Sequence, residues 1–111
     1  MELKANWKDM REFLAYLEEK GKLDHVKEEM DPEWEVNYAT RATLQKLGPA
    51  LYFENIKGMD YPMVAGMLAE DSRFLAALGL ESWDTYNNEW ARRTETLVPP
   101  VLVETGPCKE E

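Results

Sequence analysis

Cysteine and histidine are almost missing: 111 residues contain one of each, Cys108 and His25. A lone cysteine closes no internal disulfide, so a reducing compartment is the expected setting. A lone histidine builds neither a Ser-His-Asp triad nor a multi-histidine metal site, and pairing it with Cys108 would require a distant tail. We read His25 as a half-exposed strand residue. The six glycines fall in neither the dinucleotide fingerprint nor the phosphate-loop spacing. No run approaches the roughly 20 apolar residues of a membrane span. The opening Met1-Glu2-Leu3-Lys4 lacks the basic-then-apolar layout of a secretion signal, so a cytoplasmic location is expected. Positive charge is short as well: 13 Lys and Arg against 22 Asp and Glu leave a net charge of −9. The basic residues are scattered, with Arg92-Arg93 as their one adjacent pair. A phosphate backbone or an anionic membrane would meet a repelling surface, so we expect neither nucleic acid nor membrane as a partner.

Carboxylates are plentiful, but nothing in the sequence marks them as reactive. Glu28-Glu29-Met30-Asp31-Pro32-Glu33 lacks the alternating ligands and central glycine of a calcium loop, and reads as a solvated turn before a helix. Glu18-Glu19 and Glu110-Glu111 read as surface pairs, because acid catalysis needs a buried or shifted carboxyl. No catalytic, cofactor-binding or metal-binding residue is expected in this chain.

With 44% hydrophobic and 32% charged residues, the composition is that of one globular domain. Asn6 is positioned as a helix N-cap with Asp9 three residues on. Met10, Phe13, Leu14 and Leu17 follow at helical spacing, joined by Trp7, and Gly21 ends the helix. A strand is expected over 22–27. Asp31-Pro32 opens a second helix that runs to about Leu47 and is stopped by Gly48-Pro49. Its core stripe is Val36, Ala39, Thr40, Thr43, Leu44 and Leu47. Two further strands are expected over 50–54 and 63–67. Asp71 and Ser72 offer caps for a short helix over 73–78, closed by Gly79, and Ser82 offers one for another. Prolines keep 97–103 extended. These signals predict the α+β class, with a small β-sheet packed by several short helices. The expected domain spans residues 1–96, and residues 97–111 form an extended tail.

Three surfaces exceed what a lone domain of this size needs. Trp34 and Tyr38 fall about half a turn off their helix's core stripe. Trp83, Tyr86 and Trp90 recur at i, i+3 and i+7 on a helix otherwise reading Asp84, Asn87, Asn88 and Glu89. Val101, Leu102 and Val103 form a β-prone run with little chain left to cover it. Core packing, scattered exposed aromatics and a disordered tail are the plain accounts. The sharper account is a partner interface made of all eight residues, with the tail pairing with another chain's edge strand.

Several stretches, in order, resemble the beginning of the UbiD family of decarboxylases. They are Asp9-Met10-Arg11-Glu12-Phe13-Leu14, Gly21-Lys22-Leu23, Asp31-Pro32-Glu33-Trp34-Glu35-Val36, and the longest, Gly48-Pro49-Ala50-Leu51-Tyr52-Phe53-Glu54-Asn55-Ile56-Lys57-Gly58. Met63-Val64-Ala65-Gly66, Arg73-Phe74-Leu75-Ala76-Ala77-Leu78-Gly79 and Thr105-Gly106-Pro107-Cys108-Lys109-Glu110 continue the likeness over nearly the whole chain. The resemblance implies an N-terminal module without the split β-barrel in which that family holds prenylated FMN, a metal and its catalytic residues. None of those catalytic motifs is matched here. Gly66 departs from the family, whose members commonly carry asparagine there.

The resemblance implies a non-catalytic small subunit, or an isolated N-terminal module, of a decarboxylase or carboxylase acting on aromatic or unsaturated acids. Its expected partner is a larger UbiD-like catalytic chain carrying prenylated FMN with metal, in a hetero-oligomer. A different class of function is a free-standing homo-oligomeric binding module that holds a small aromatic ligand between its tryptophans. A piece excised from a longer enzyme would carry the same residues.

Overall fold

The computed structural model describes residues 1–109; the Glu110-Glu111 pair and the last residue of the 105–110 stretch lie outside the described residues. Helix α1 spans Met10–Glu19 and is capped by Asp9, not Asn6, with the Glu12 backbone N–H donating to the Asp9 carboxylate at 3.0 Å. Glu12 in turn accepts from the Lys8 N–H at 2.7 Å, so the reciprocal cap forms three residues later than expected. Trp7 is thereby left outside the helix. It folds back to donate its indole N–H to the Ala76 carbonyl at 3.1 Å, with its ring 5.2 Å from Phe13. Trp7 covers the core there, and Met10, expected on the stripe, is 55% exposed at the helix's first position. Gly21, at φ 70°, closes the helix as expected, with the Lys22 N–H reaching back to the Leu17 carbonyl at 2.8 Å.

Strand β1 (Leu23–Val26) runs parallel to β2 (Ala50–Phe53), and β2 runs antiparallel to β3 (Met63–Ala65), so β2 is central. The connection from β1 to β2 carries α2, Glu35–Gln45. Alternation along the strands divides the core in two. Leu23 and Ala50 face Phe13, Leu17 and Ala76 on one side of the sheet, while Leu51 and Phe53 face Val36 and Ile56 on the other. Thus α1 and α3 (Asp71–Ala77) cover one face and α2 covers the opposite one.

Helix α2 starts later than Asp31-Pro32 suggests. Met30 is held extended against Ile56, with backbone hydrogen bonds to Asn55 at 2.9 Å and from Lys57 at 3.0 Å. Asp31 then caps a turn, accepting from the Glu33 and Trp34 N–H groups at 2.6 and 3.3 Å. At the other end Leu47, not a glycine, takes the left-handed turn at φ 53°, and it is 74% exposed instead of lying in the stripe. Gly48 cannot trade places with it, because a Cβ at Gly48 would lie 2.7 Å from Thr43 Cγ2. A left-handed leucine costs about 1–2 kcal/mol, partly offset by the extra chain entropy a glycine must lose. Leu47→Gly is therefore expected to stabilise the fold by about 0.5–1 kcal/mol, read as a higher urea midpoint.

Glu70, not Asp71 or Ser72, caps α3 by accepting from the Ser72 N–H at 2.9 Å. Arg73 is the one buried charged side chain among the described residues, 2% exposed. It donates to the Gly48 carbonyl at 2.9 Å and the Gly66 carbonyl at 3.1 Å. Gly66 itself sits at φ 71°, a conformation asparagine tolerates better than most L residues. Beyond α3 a 3₁₀ turn, Trp83–Thr85, leads into α4, Tyr86–Glu95, which buries no residue. The radius of gyration is 17.3 Å, against about 13 Å for a compact chain of this length. The excess reflects α4 and the tail standing off the three-layered core.

Candidate partner interface

The expected aromatic stripe is a ladder with one more rung than expected. Phe74, on α3, stacks on Trp83 at 5.7 Å, Trp83 meets Tyr86 edge-on at 5.0 Å, and Tyr86 stacks on Trp90 at 5.9 Å. Trp83 and Tyr86 meet the domain through Phe74, while the ladder stays partly in water: Trp83 is 46% and Trp90 52% exposed. Ser82 makes no side-chain cap hydrogen bond; the Trp83 indole N–H is anchored instead on the Asp71 carboxylate at 3.2 Å.

A charged clamp holds α4 in place. Glu89 accepts from Arg92 at 2.6 Å and from Arg93 at 2.7 Å, and Arg93 also donates to the Leu78 carbonyl at the end of α3 at 2.6 Å. Hydrogen bonds from Arg92 and then Arg93 pull the Glu89 carboxyl down to about 2, so the clamp is charged throughout the neutral range.

The other expected residues lie elsewhere. Trp34, the N-cap of α2, and Tyr38, on its outer face, are 61% and 70% exposed beside a shallow groove of about 250 Å³ shared with Glu33, Asn37 and Arg41. That face is across the sheet from the ladder, so no single flat surface contains both. Val101, Leu102 and Val103 are exposed and form no strand. Cys108 is exposed on a 3₁₀ turn, Pro107–Lys109.

His25 lies in a cluster that sequence patterning does not mark. Its Nδ1 is 2.6 Å from Glu54 and its Nε2 3.0 Å from Glu18, with Tyr52 packed on the ring at 5.1 Å. The hydrogen bond to Glu54, then that to Glu18, raises the imidazole above its ordinary value. A raised folded value stabilises the fold fully below about pH 6.5, and that contribution is lost as pH rises through the higher value. Because the side chain is 32% exposed, the expected loss between about pH 6 and about pH 9 is under ~1 kcal/mol. His25→Gln should flatten that part of the profile in urea titrations run across pH.

Among the described residues no cluster of three His, Cys, Asp or Glu is set to hold a metal. The buried side-chain polar atom left without a partner is Arg73 Nε, and it is packed between Gly48 and Gly66 instead of facing a cavity. Nothing buried and polar is aimed at the larger depression, about 600 Å³, near Tyr16, Lys22 and Ser72. Among the described residues no helix is long and apolar enough to cross a membrane.

A mixed sheet with α1 and α3 on one side and α2 on the other, extended by an aromatic arm, defines a small α+β module. The family model for the 3-octaprenyl-4-hydroxybenzoate carboxy-lyase N-terminal domain matches residues 14–94. Phenolic acid decarboxylase of Sedimentibacter hydroxybenzoicus is 39% identical over 112 residues, covering 94% of this chain and 23% of that protein. The closed form of vanillic acid decarboxylase from the same organism superposes with a TM-score of 0.79 at 38% identity, over 97% of this chain and 24% of that one. An evolved dimeric form of the UbiD-class enzyme HmfF from Pelotomaculum thermopropionicum, in complex with prFMN, gives 0.71 at 35% identity, over 84% and 21%. The chain belongs to the UbiD N-terminal domain family. It spans less than a quarter of the length of these relatives.

Proposed function

We propose that this chain is a non-catalytic module of a UbiD-type decarboxylase or carboxylase acting on aromatic or unsaturated acids. It docks on a larger catalytic chain that carries prenylated FMN and its metal, and the assembly is a cytoplasmic hetero-oligomer. Residues 1–96 form the module, and residues 97–111 lead toward the barrel of the partner. The observation that carries this reading is the ladder from Phe74 to Trp90. A domain whose relatives continue for several hundred residues presents half-covered aromatic rings on an arm that buries none of its own residues. Large aromatics at the centre of an interface supply much of its binding energy. Docking would cover the outer faces of Trp83, Tyr86 and Trp90, and Val101 to Val103 would pair with an edge strand of the catalytic chain.

Isolation from native cells under oxygen-free conditions, with mass determination of the complex and of each polypeptide, tests this reading. The expected result is a larger UbiD-like chain with bound flavin in fixed ratio to this one. Trp83→Ala should then weaken the complex by about 2 kcal/mol, roughly thirtyfold, and removal of the tail after Val98 should weaken it further. A flavin-free protein running without any larger chain would sink the proposal.

A further inference from the structure

The outer face of α2 carries a pattern that is complementary to itself. Glu33 stands at one end and Arg41 at the other, with Trp34, Asn37 and Tyr38 between them along the shallow groove. Arg41 is the one arginine without an ion pair among the described residues; Arg11, Arg73, Arg92 and Arg93 each reach a carboxylate at 3.9 Å or less. The Glu33 carboxylate likewise meets no cation among the described residues, its backbone groups serving Asp31 and Asn37 instead. In a chain of net charge −9, this strip sums to zero, so two copies meet here without local repulsion.

We propose that this face is a self-association surface, occupied by a second copy of the chain with its α2 antiparallel about a two-fold axis near Asn37. At 1.5 Å rise per residue Arg41 lies about 6 Å beyond Asn37 along α2, and Glu33, in the turn that precedes the helix, stands on the other side of Asn37, its carbonyl accepting from the Asn37 side chain at 2.8 Å. The two-fold therefore brings Glu33 level with Arg41 of the second copy, and Arg41 level with its Glu33. Trp34, at the N-cap of α2 with its carbonyl accepting from the Tyr38 N–H at 2.9 Å, then comes close to Tyr38 of the second copy. Antiparallel helices also oppose their dipoles favourably. The sheet lies between this strip and the ladder, so docking of a catalytic chain on the ladder leaves the strip free. The inference goes beyond the docking proposal and does not depend on it. A strip about 12 Å long and about 10 Å wide falls well short of the roughly 800 Å² per partner of a stable interface. Self-association is accordingly weak, with a Kd on the order of 0.1 mM. Within a complex it would hold catalytic chains in pairs.

Sedimentation velocity on the full chain, at about 0.15 M salt to screen distant charges and from about 10 μM to about 1 mM protein, tests this. The expected result is a monomer–dimer equilibrium. Glu33→Arg and Arg41→Glu should each weaken it at least about tenfold, because each makes both symmetry-related contacts repulsive. An equimolar mixture of the two variants should then form a heterodimer, as each supplies the charge the other lacks. That recovery also shows both variants to be folded. A wild-type monomer at about 1 mM, a mixture that fails to associate, or a dimer indifferent to both substitutions overturns the proposal. So does a dimer lost on Trp83→Ala but not on Trp34→Ala, which would place self-association on the ladder. Docking on the catalytic chain is read separately, through Trp83 and the native complex, so the two proposals fail independently.

Discussion

Arg73→Ala is expected to remove about 3–5 kcal/mol of folding stability, a large part of the roughly 5–15 kcal/mol that holds a domain of this size folded. The guanidinium is buried at 2% exposure and ties the ends of two paired strands to α3: the Gly48 carbonyl entering β2 and the Gly66 carbonyl leaving β3. Removing it strands both carbonyls away from water and opens a cavity between α3 and the sheet. Burial works against the charge and Glu70, 3.9 Å away, supports it. Arg73→Met separates the contributions, since it keeps most of the volume and none of the hydrogen bonds. We expect it to recover part of the loss and still fall about 2 kcal/mol short of wild type. Denaturant titration at neutral pH reads both variants. A methionine variant as stable as wild type would mean that packing alone accounts for the site.

Gly79→Ala is expected to cost about 2–4 kcal/mol, the second largest effect of a small substitution in this chain. Two causes combine there. Gly79 closes α3 at φ 74°, which a side chain resists. A Cβ would also lie 2.4 Å from Ala5 Cα and 2.6 Å from the Lys4 carbonyl oxygen, both backbone atoms. The N-terminal segment would have to lift away, loosening Trp7 from the Ala76 carbonyl. Gly21 and Gly58 are the controls: at φ 70° and 80° they share the strained conformation, but a Cβ at either meets nothing within 4 Å. Gly21→Ala and Gly58→Ala should cost only about 1–2 kcal/mol each. Thermal or urea unfolding of the three variants isolates the steric part, and equal losses at all three would refute it.

Both residues show where sequence reading stops. The glycine at 79 is legible as a helix terminator from its place after an apolar helix. The approach of residues 4 and 5 to it is a contact across seventy-odd residues, to which local patterning is blind. Arg73 did leave a trace, because a cation in the first turn of a helix opposes the macrodipole and calls for another reason to be there. The pattern of Gly-Pro and Gly residues around 48 and 66 could not say that two carbonyls would supply it. Phe74 was hidden in the same way: it continues a helical stripe, but only the packing of α4 against α3 makes it the first rung of the ladder.

What the sequence by itself determined is local and serial. Helix terminators at Gly21 and Gly79, the three short strands, the α+β class and the ordered likeness to the UbiD N-terminal domain all follow from short-range chemistry and motif order. Helix starts were read less well, because Asp9, Asp31 and Glu70 act through contacts their neighbours make. Only the tertiary structure decided that Trp34 and Tyr38 lie across the sheet from Trp83, Tyr86 and Trp90. Helical spacing tells which residues share a face of one helix, and not which side of a sheet that helix covers. The parallel β1–α2–β2 connection places α2 on the face opposite α1 and α3, and so divides one expected interface into two surfaces.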